Sequence, residues 1–262
     1  MRALLIGDIV GRPGRKALKE LMGPLISKEK IDFVIANAEN AAGGLGLTRK
    51  IAADLFSLRV DVLTSGNHIW KQKEIYDFVN SEARILRPAN YPPDVPGKGW
   101  VLVESRTGVR AAVINLEGRV FMRSLDCPFR TADVLLEEIR SYTSVIFVDF
   151  HAEATSEKIA LGRYLDGRIS CLFGTHTHVQ TADEKILPGG TGYITDIGMT
   201  GPHDSVIGRD IDNIIFHFKT ELPVAFDIAS GGVRLNGAIV EVDEDTGKAV
   251  SIRRVDEGLM DG

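Results

Sequence analysis

Six short apolar, β-branched runs constrain this chain more than any other feature. They are ALLIG (3–7), FVIAN (33–37), DVLTSG (61–66), AAVINL (111–116), SVIFVDF (144–150) and ISCLFG (169–174). Runs without polar alternation suit strands buried on both faces. Helical patterns lie between several of them. Residues 13–27 carry Ala17, Leu18, Leu21, Met22 and Leu25 at helical spacing behind Pro13, and Thr48 is placed to cap RKIAADLFSL. Residues 72–79 read as a short helix, and Thr131 or Asp133 opens another over VLLEEIRSY. Strands alternating with helices predict an α/β fold with much parallel pairing. Farther on, 223–229, 233–243 and 248–255 read as antiparallel strands, the last two joined by a turn in which Gly247 supplies a positive φ. The expected fold is therefore mixed β-sheets flanked by helices. No linker, repeat or low-complexity stretch divides the chain, so one domain over 1–262 is expected, with 87–99 as a long Pro/Gly-rich loop.

The residues that follow these strands come from one small chemical set. Asp8 follows the first, Glu39 and Asn40 the second, Asn67 and His68 the third, His151 the fifth, and His176 and His178 the sixth. Singly, an Asp or Asn after a strand is an ordinary turn residue, and a lone His is more often structural than a ligand. Together they include four of the chain's six histidines. In open α/β sheets ligands bind beyond the carboxyl ends of the strands, so adjacent strands would bring this set to one rim. His176 and His178 are two apart, and an extended segment would point both to one side.

Carboxylates, amides and imidazoles without a thiolate pair disfavour a soft-metal site, and four imidazoles are too many for a dedicated magnesium or calcium cage. Iron, manganese or zinc remain. The donors exceed the ~4 of one tetrahedral zinc site, so two metals sharing a carboxylate fit better than one.

At these residues the chain resembles the calcineurin-like metallophosphoesterases, whose strands end in Asp, Asp, Gly-Asn-His, His and Gly-x-His. Here GD (7–8), GNH (66–68), DFH (149–151) and GTHTH (174–178) occur in that order. Two departures are specific: Ile9 and Val10 follow Asp8 where Asp-x-His is usual, and Glu39 and Asn40 stand where a bridging Asp is usual. Those departures, with GDIVGRPGR (7–15), NLEGRVFM (115–122) and TDIGMTGPHDSVIG (195–208), resemble the YmdB family of bacterial metallophosphoesterases over nearly the whole chain. The resemblance implies a layered metallophosphoesterase-type sandwich. It implies one metal held by Asp8, Glu39, Asn40 and His178, and a second held by Glu39, Asn67, His151 and His176, Asn40 replacing the missing histidine. It implies iron foremost, with His68 as general acid rather than ligand. The implied activity is hydrolysis of phosphodiesters, including 2′,3′-cyclic nucleotides and cyclic AMP, by in-line attack of a metal-bridging hydroxide. A looser implication is a part in RNA processing and biofilm formation.

Other residues read less sharply. His203, in GPHDS, sits in a Gly/Pro-rich loop, where it could touch substrate or be a plain turn residue, whereas His217 reads as structural. Arg12 and Arg15 read as solvated surface cations that could instead contact phosphate, Glu153 as a cap for the helix that follows it or a spare carboxylate near His151, and the GGLGL run (43–47) lacks the lysine of a P-loop.

A net charge of −5 disfavours a stable nucleic-acid scaffold but leaves a phosphodiester open as substrate if cations offset the local charge. Two isolated cysteines, Cys127 and Cys171, no leader-like start and no long apolar run lead to the expectation of a cytoplasmic protein with no membrane segment, compatible with a homo-oligomer. Rival readings are a regulatory metal protein acting through partners, a phosphomonoesterase or protein phosphatase, and a di-iron oxidase. The last takes its ligands from helices, not strand ends.

Overall fold

The computed structural model describes residues 1–259; residues 260–262 of the expected domain lie outside the described residues. Two β-sheets face each other. The first has seven strands: β1 (Arg2–Ile6), β2 (Asp8–Ile9), β3 (Phe33–Asn37), β4 (Val62–Thr64), β11 (Met199–Asp204), β12 (Gly231–Val242) and β13 (Ala249–Gly258). The second has six: β5 (Trp100–Glu104), β6 (Arg110–Glu117), β7 (Ile146–His151), β8 (Cys171–Thr175), β9 (Lys185–Ile186) and β10 (Gly192–Ile194). β1, β3 and β4 run parallel in register, as do β6, β7, β8 and β10, while β12 and β13 pair antiparallel. Mixed sheets are thus present as expected.

The apolar runs account for the layering. β1, β3, β7 and β8 have almost no solvent-facing side, so each sheet must be covered twice. Leu5, Phe33 and Ile35 of one sheet meet Val113, Phe147 and Phe173 of the other, with the Phe33 and Phe147 rings stacked at 6.1 Å. The outer face of the first sheet packs on α1 (Gly11–Glu29), α2 (Arg49–Ser57) and α3 (Ile75–Ser81). The outer face of the second packs on α4 (Pro128–Ile139) and α5 (Thr155–Tyr164). The result is a four-layer sandwich, helix, sheet, sheet, helix. No described helix is long and apolar enough to cross a membrane.

Several expectations need correction. The helix expected over 13–27 begins at Gly11, because Pro13 in the first turn would have had no N–H partner anyway. α4 starts at Pro128 rather than at Thr131 or Asp133, since the fixed φ of proline suits the first helical position. Residues 223–229 form no strand; the segment is largely exposed and reaches only a single bridge, Arg209 to Ile228. His203 lies not in a loop but on β11, which tolerates Pro202 because β2 has already ended on that side. Thr48 does cap α2, its side chain accepting from the Ile51 amide at 3.2 Å, and Gly247 does take φ +70°.

Candidate metal centre

The carboxyl ends of β1, β3 and β4 meet those of β7 and β8 at one rim. All eight residues that follow the strands gather there. Glu39 is fully buried, its carboxylate 3.3 Å from His151 Nε2 and 3.1 Å from His68 Nδ1. Asp8 accepts from the His176 backbone amide at 3.1 Å, and its other oxygen faces His178 Nε2 at 3.8 Å. Asn67 Oδ1 is 3.1 Å from His151 Nε2, and Asn40 Nδ2 is 3.3 Å from His178 Nε2. The ligand atoms of Glu39, His151 and His176 all lie within 4.8 Å of one another.

The local backbone is shaped for this convergence. A Cβ on Gly66, just before Asn67, would overlap the His151 ring, so the Gly in GNH is a packing requirement. His176 and His178 do not lie in an extended segment, as their spacing suggested. β8 ends at Thr175, and both histidines take left-handed backbone, φ +96° and +65°. Side-chain residues reach that region only when their surroundings hold them there, as happens at functional sites. The His178 ring is oriented by Nδ1 against the Ile207 carbonyl at 2.9 Å, leaving Nε2 toward Asp8.

Electrostatics test whether these residues suit a cation. Asp8 Oδ1 is buried without a hydrogen-bond partner among the described residues. An anionic oxygen so placed is costly unless a positive group meets it. Burial raises the Asp8 carboxyl, though His178 and His151 oppose it. Burial also works against the charge on Glu39, yet His151 and His68 hold its carboxyl well below the usual range. For His151 burial favours the neutral ring, but Glu39, Asp8 and Asp149 outweigh it and raise its pKa to about 9. Burial, then the neighbouring His151, pushes His176 down to about 3, leaving a neutral imidazole with a lone pair. Buried carboxylates drawing a proton onto one imidazole, beside facing nitrogens 3.0 Å apart on His151 and His176, fit a site built for cations.

The centre opens into a cavity of about 250 Å³ lined by Asn40, His68, Glu153, His176, His178 and Arg209 among others. His68 is oriented by Asn40, whose Oδ1 lies 2.8 Å from Nδ1; among the described residues Nε2 has no hydrogen-bond partner. Of two further cavity residues, Glu153 is the one the sequence offered as a spare carboxylate near His151, and Arg209 is one it did not single out. Glu153 does not cap α5, whose cap is Ala154; its carboxylate lies 3.1 Å from His176 Nε2. Arg209 follows a motif that seemed to end at Gly208. His203 is outside this cavity and lines a neighbouring one of about 670 Å³, with His178 and Ile207 in the shared wall. Arg12 and Arg15 line a third cavity, about 550 Å³, between α1 and α2, which contains none of the eight residues.

A facing pair of mixed sheets with carboxylates, amides and imidazoles gathered at their strand ends is the arrangement that the resemblance to calcineurin-like metallophosphoesterases implied. The chain belongs to the YmdB-like protein family, whose model matches residues 4–255. It is 53% identical over 255 residues to a Bacillus subtilis strain 168 protein named 2′,3′-cyclic-nucleotide 2′-phosphodiesterase, covering 97% of this chain and 96% of that one. The crystal structure of a hypothetical protein from Thermus thermophilus superposes with a TM-score of 0.92 at 42% identity, covering 98% of this chain and 99% of that one. A Mycoplasma pneumoniae structure described as a novel phosphatase gives 0.92 at 34% identity, covering 98% and 93%.

Proposed function

We propose that this protein is a metal-dependent phosphoric diester hydrolase acting on 2′,3′-cyclic nucleotides, the substrate in the name of its 53% identical relative. The observation that carries the reading is the partnerless buried oxygen of Asp8 within a carboxylate–imidazole cluster that opens into a cavity beside His68. Asp8, Glu39, Asn40 and His178 would hold one ion, and Glu39, Asn67, His151 and His176 a second, with iron first in order and manganese or zinc as alternatives. Two such ions lower the pKa of water and offset phosphate charge. His68 would protonate the leaving oxygen: Asn40 fixes its Nδ1 side, and Nε2 is free to carry the proton to the ester. His203, across the wall formed by His178 and Ile207, would meet the part of the substrate that a 250 Å³ cavity does not hold. The shared inter-sheet core supports reading 1–262 as one metallophosphoesterase domain; the cytoplasm is proposed as its location on the two isolated cysteines alone.

The test combines metal analysis with turnover of 2′,3′-cyclic nucleotides, cyclic AMP and phosphomonoesters. His68→Ala is expected to keep its metal and lose ~10²–10⁴ in rate, the range for a general acid. His178→Ala is expected to lose metal as well. Metal loss in His68→Ala would remove the general-acid assignment, and a wild-type protein with neither metal nor phosphoesterase activity would sink the proposal.

A further inference from the structure

Among the described residues, Arg209 is the one Lys or Arg side chain lining the cavity beside His68. Its guanidinium donates to the Phe226 carbonyl at 2.8 Å from Nη1 and to the Gly44 carbonyl at 2.7 Å from Nη2. Among the described residues no carboxylate comes within ion-pair distance of it. Carbonyls orient a guanidinium without neutralising it, and two bonds leave three of its five N–H donors for other partners. Burial works against the charge of this half-buried guanidinium and Asp227 favours it only from beyond ion-pair distance, so the cavity presents a cation whose remaining donors are available to an anion.

The chain is built to put it there. Residues 206–209 close on themselves, with Val206 and Arg209 exchanging both backbone hydrogen bonds at 2.9 and 3.0 Å. Ile207 and Gly208 both take positive φ, +46° and +95°, as a type I′ turn requires. The same turn supplies the Ile207 carbonyl that orients His178, so the arginine and a residue of the metal centre share one rigid support. On the opposite side Gly44 takes φ +83°, and a Cβ there would come 2.6 Å from Arg209 Nη1. The glycine-rich stretch at 43–47 thus makes room for a guanidinium rather than cradling phosphate with its own amides.

We infer that Arg209 is a substrate ligand that binds the non-bridging oxygens of the scissile phosphate through its free N–H groups. The inference rests on the reading of the site as a phosphodiesterase centre. A planar guanidinium matches two phosphate oxygens at once, whereas a lysine offers a point charge. Held in advance by Gly44 and Phe226, it would stabilise the charge that grows on those oxygens with little reorganisation.

The experiment compares metal-loaded wild type, Arg209→Ala and Arg209→Lys for kcat/KM on a 2′,3′-cyclic mononucleotide and for binding of inorganic phosphate by calorimetry, with metal content measured on each. Arg209→Ala is expected to keep its metal, lose ~10²–10³ in kcat/KM, the range for removing one preorganised donor, and bind phosphate at least ~10-fold more weakly. Millimolar guanidinium is expected to recover part of that rate, and Arg209→Lys to fall well short of wild type. An Arg209→Ala protein within ~3-fold of wild type in both measurements, or a loss matched by lost metal, overturns the inference; should that variant fail to fold, wild-type rates in Arg209→Lys overturn it. If wild type cleaves no diester, the proposed function fails, while phosphate binding still decides whether Arg209 is an anion ligand.

Discussion

At the scale of single residues the site is a balance of buried charge. Glu117, at the end of β6, lies beside His151 in the strand register and is fully buried with neither carboxylate oxygen hydrogen-bonded among the described residues. Burial, reinforced by the charge of Glu39 and opposed by His151 and Arg123, raises its pKa from 4.5 to about 7. The folded protein therefore holds this proton more tightly than the unfolded chain. Its contribution to stability is fully present below pH 4.5 and is lost as pH rises to about 7. Glu117→Gln should accordingly match wild type near pH 4.5 and exceed it above pH 7 by up to about 3 kcal/mol, the linkage equivalent of that shift. Urea unfolding at pH 4.5, 6 and 8 measures this, and a gap that stays constant with pH would contradict it. Arg209 poses the complementary problem, a cation with no ion-pair partner among the described residues.

Elements convert these balances into geometry. Each strand delivers one or two side chains, and the residue just past its end sets their direction. Gly66 is the clearest instance, because the His151 ring occupies the space where a Cβ would sit. Gly66→Ala should displace His151, lower bound metal and reduce kcat/KM by roughly 10², as second-sphere disruptions of metal sites do, with melting temperature and elemental analysis separating this from unfolding. The two-residue spacing of His176 and His178 suggested an extended arm, but left-handed backbone at both residues carries their rings inward. Spacing was legible in the sequence; backbone hand was not, because nothing local stabilises a positive φ at histidine.

For the whole molecule, the candidate centre lies where two sheets meet, so the residues proposed as ligands are joined only in the folded state. Metal that binds the native chain and not the unfolded one adds RT ln(1 + [L]/Kd) to stability, about 2.7 kcal/mol at a hundredfold excess over Kd. For a chain of this length that corresponds to roughly 5–10 °C. Chelator is expected to lower the melting temperature of wild type by that order and to leave Asp8→Asn nearly unmoved. An equal shift in both would place the stabilising metal elsewhere.

The sequence by itself determined the strands with two buried faces, the mixed α/β class and the eight residues that follow those strands. Each of these rests on local pattern: uninterrupted apolar runs, and Gly, Asn, His or carboxylate just beyond them. Only the tertiary structure decided that Arg209 and Glu153 face the same cavity, that Glu117 is buried with no hydrogen bond to its carboxylate among the described residues, and that His203 stands behind the His178 wall on a strand. Arg209 owes its place to carbonyls of Gly44, 165 residues before it, and Phe226, 17 residues after it, and Glu153 to a ring on a neighbouring strand end. Such contacts are set by how sheets stack and loops close over them, and no short window of residues encodes that.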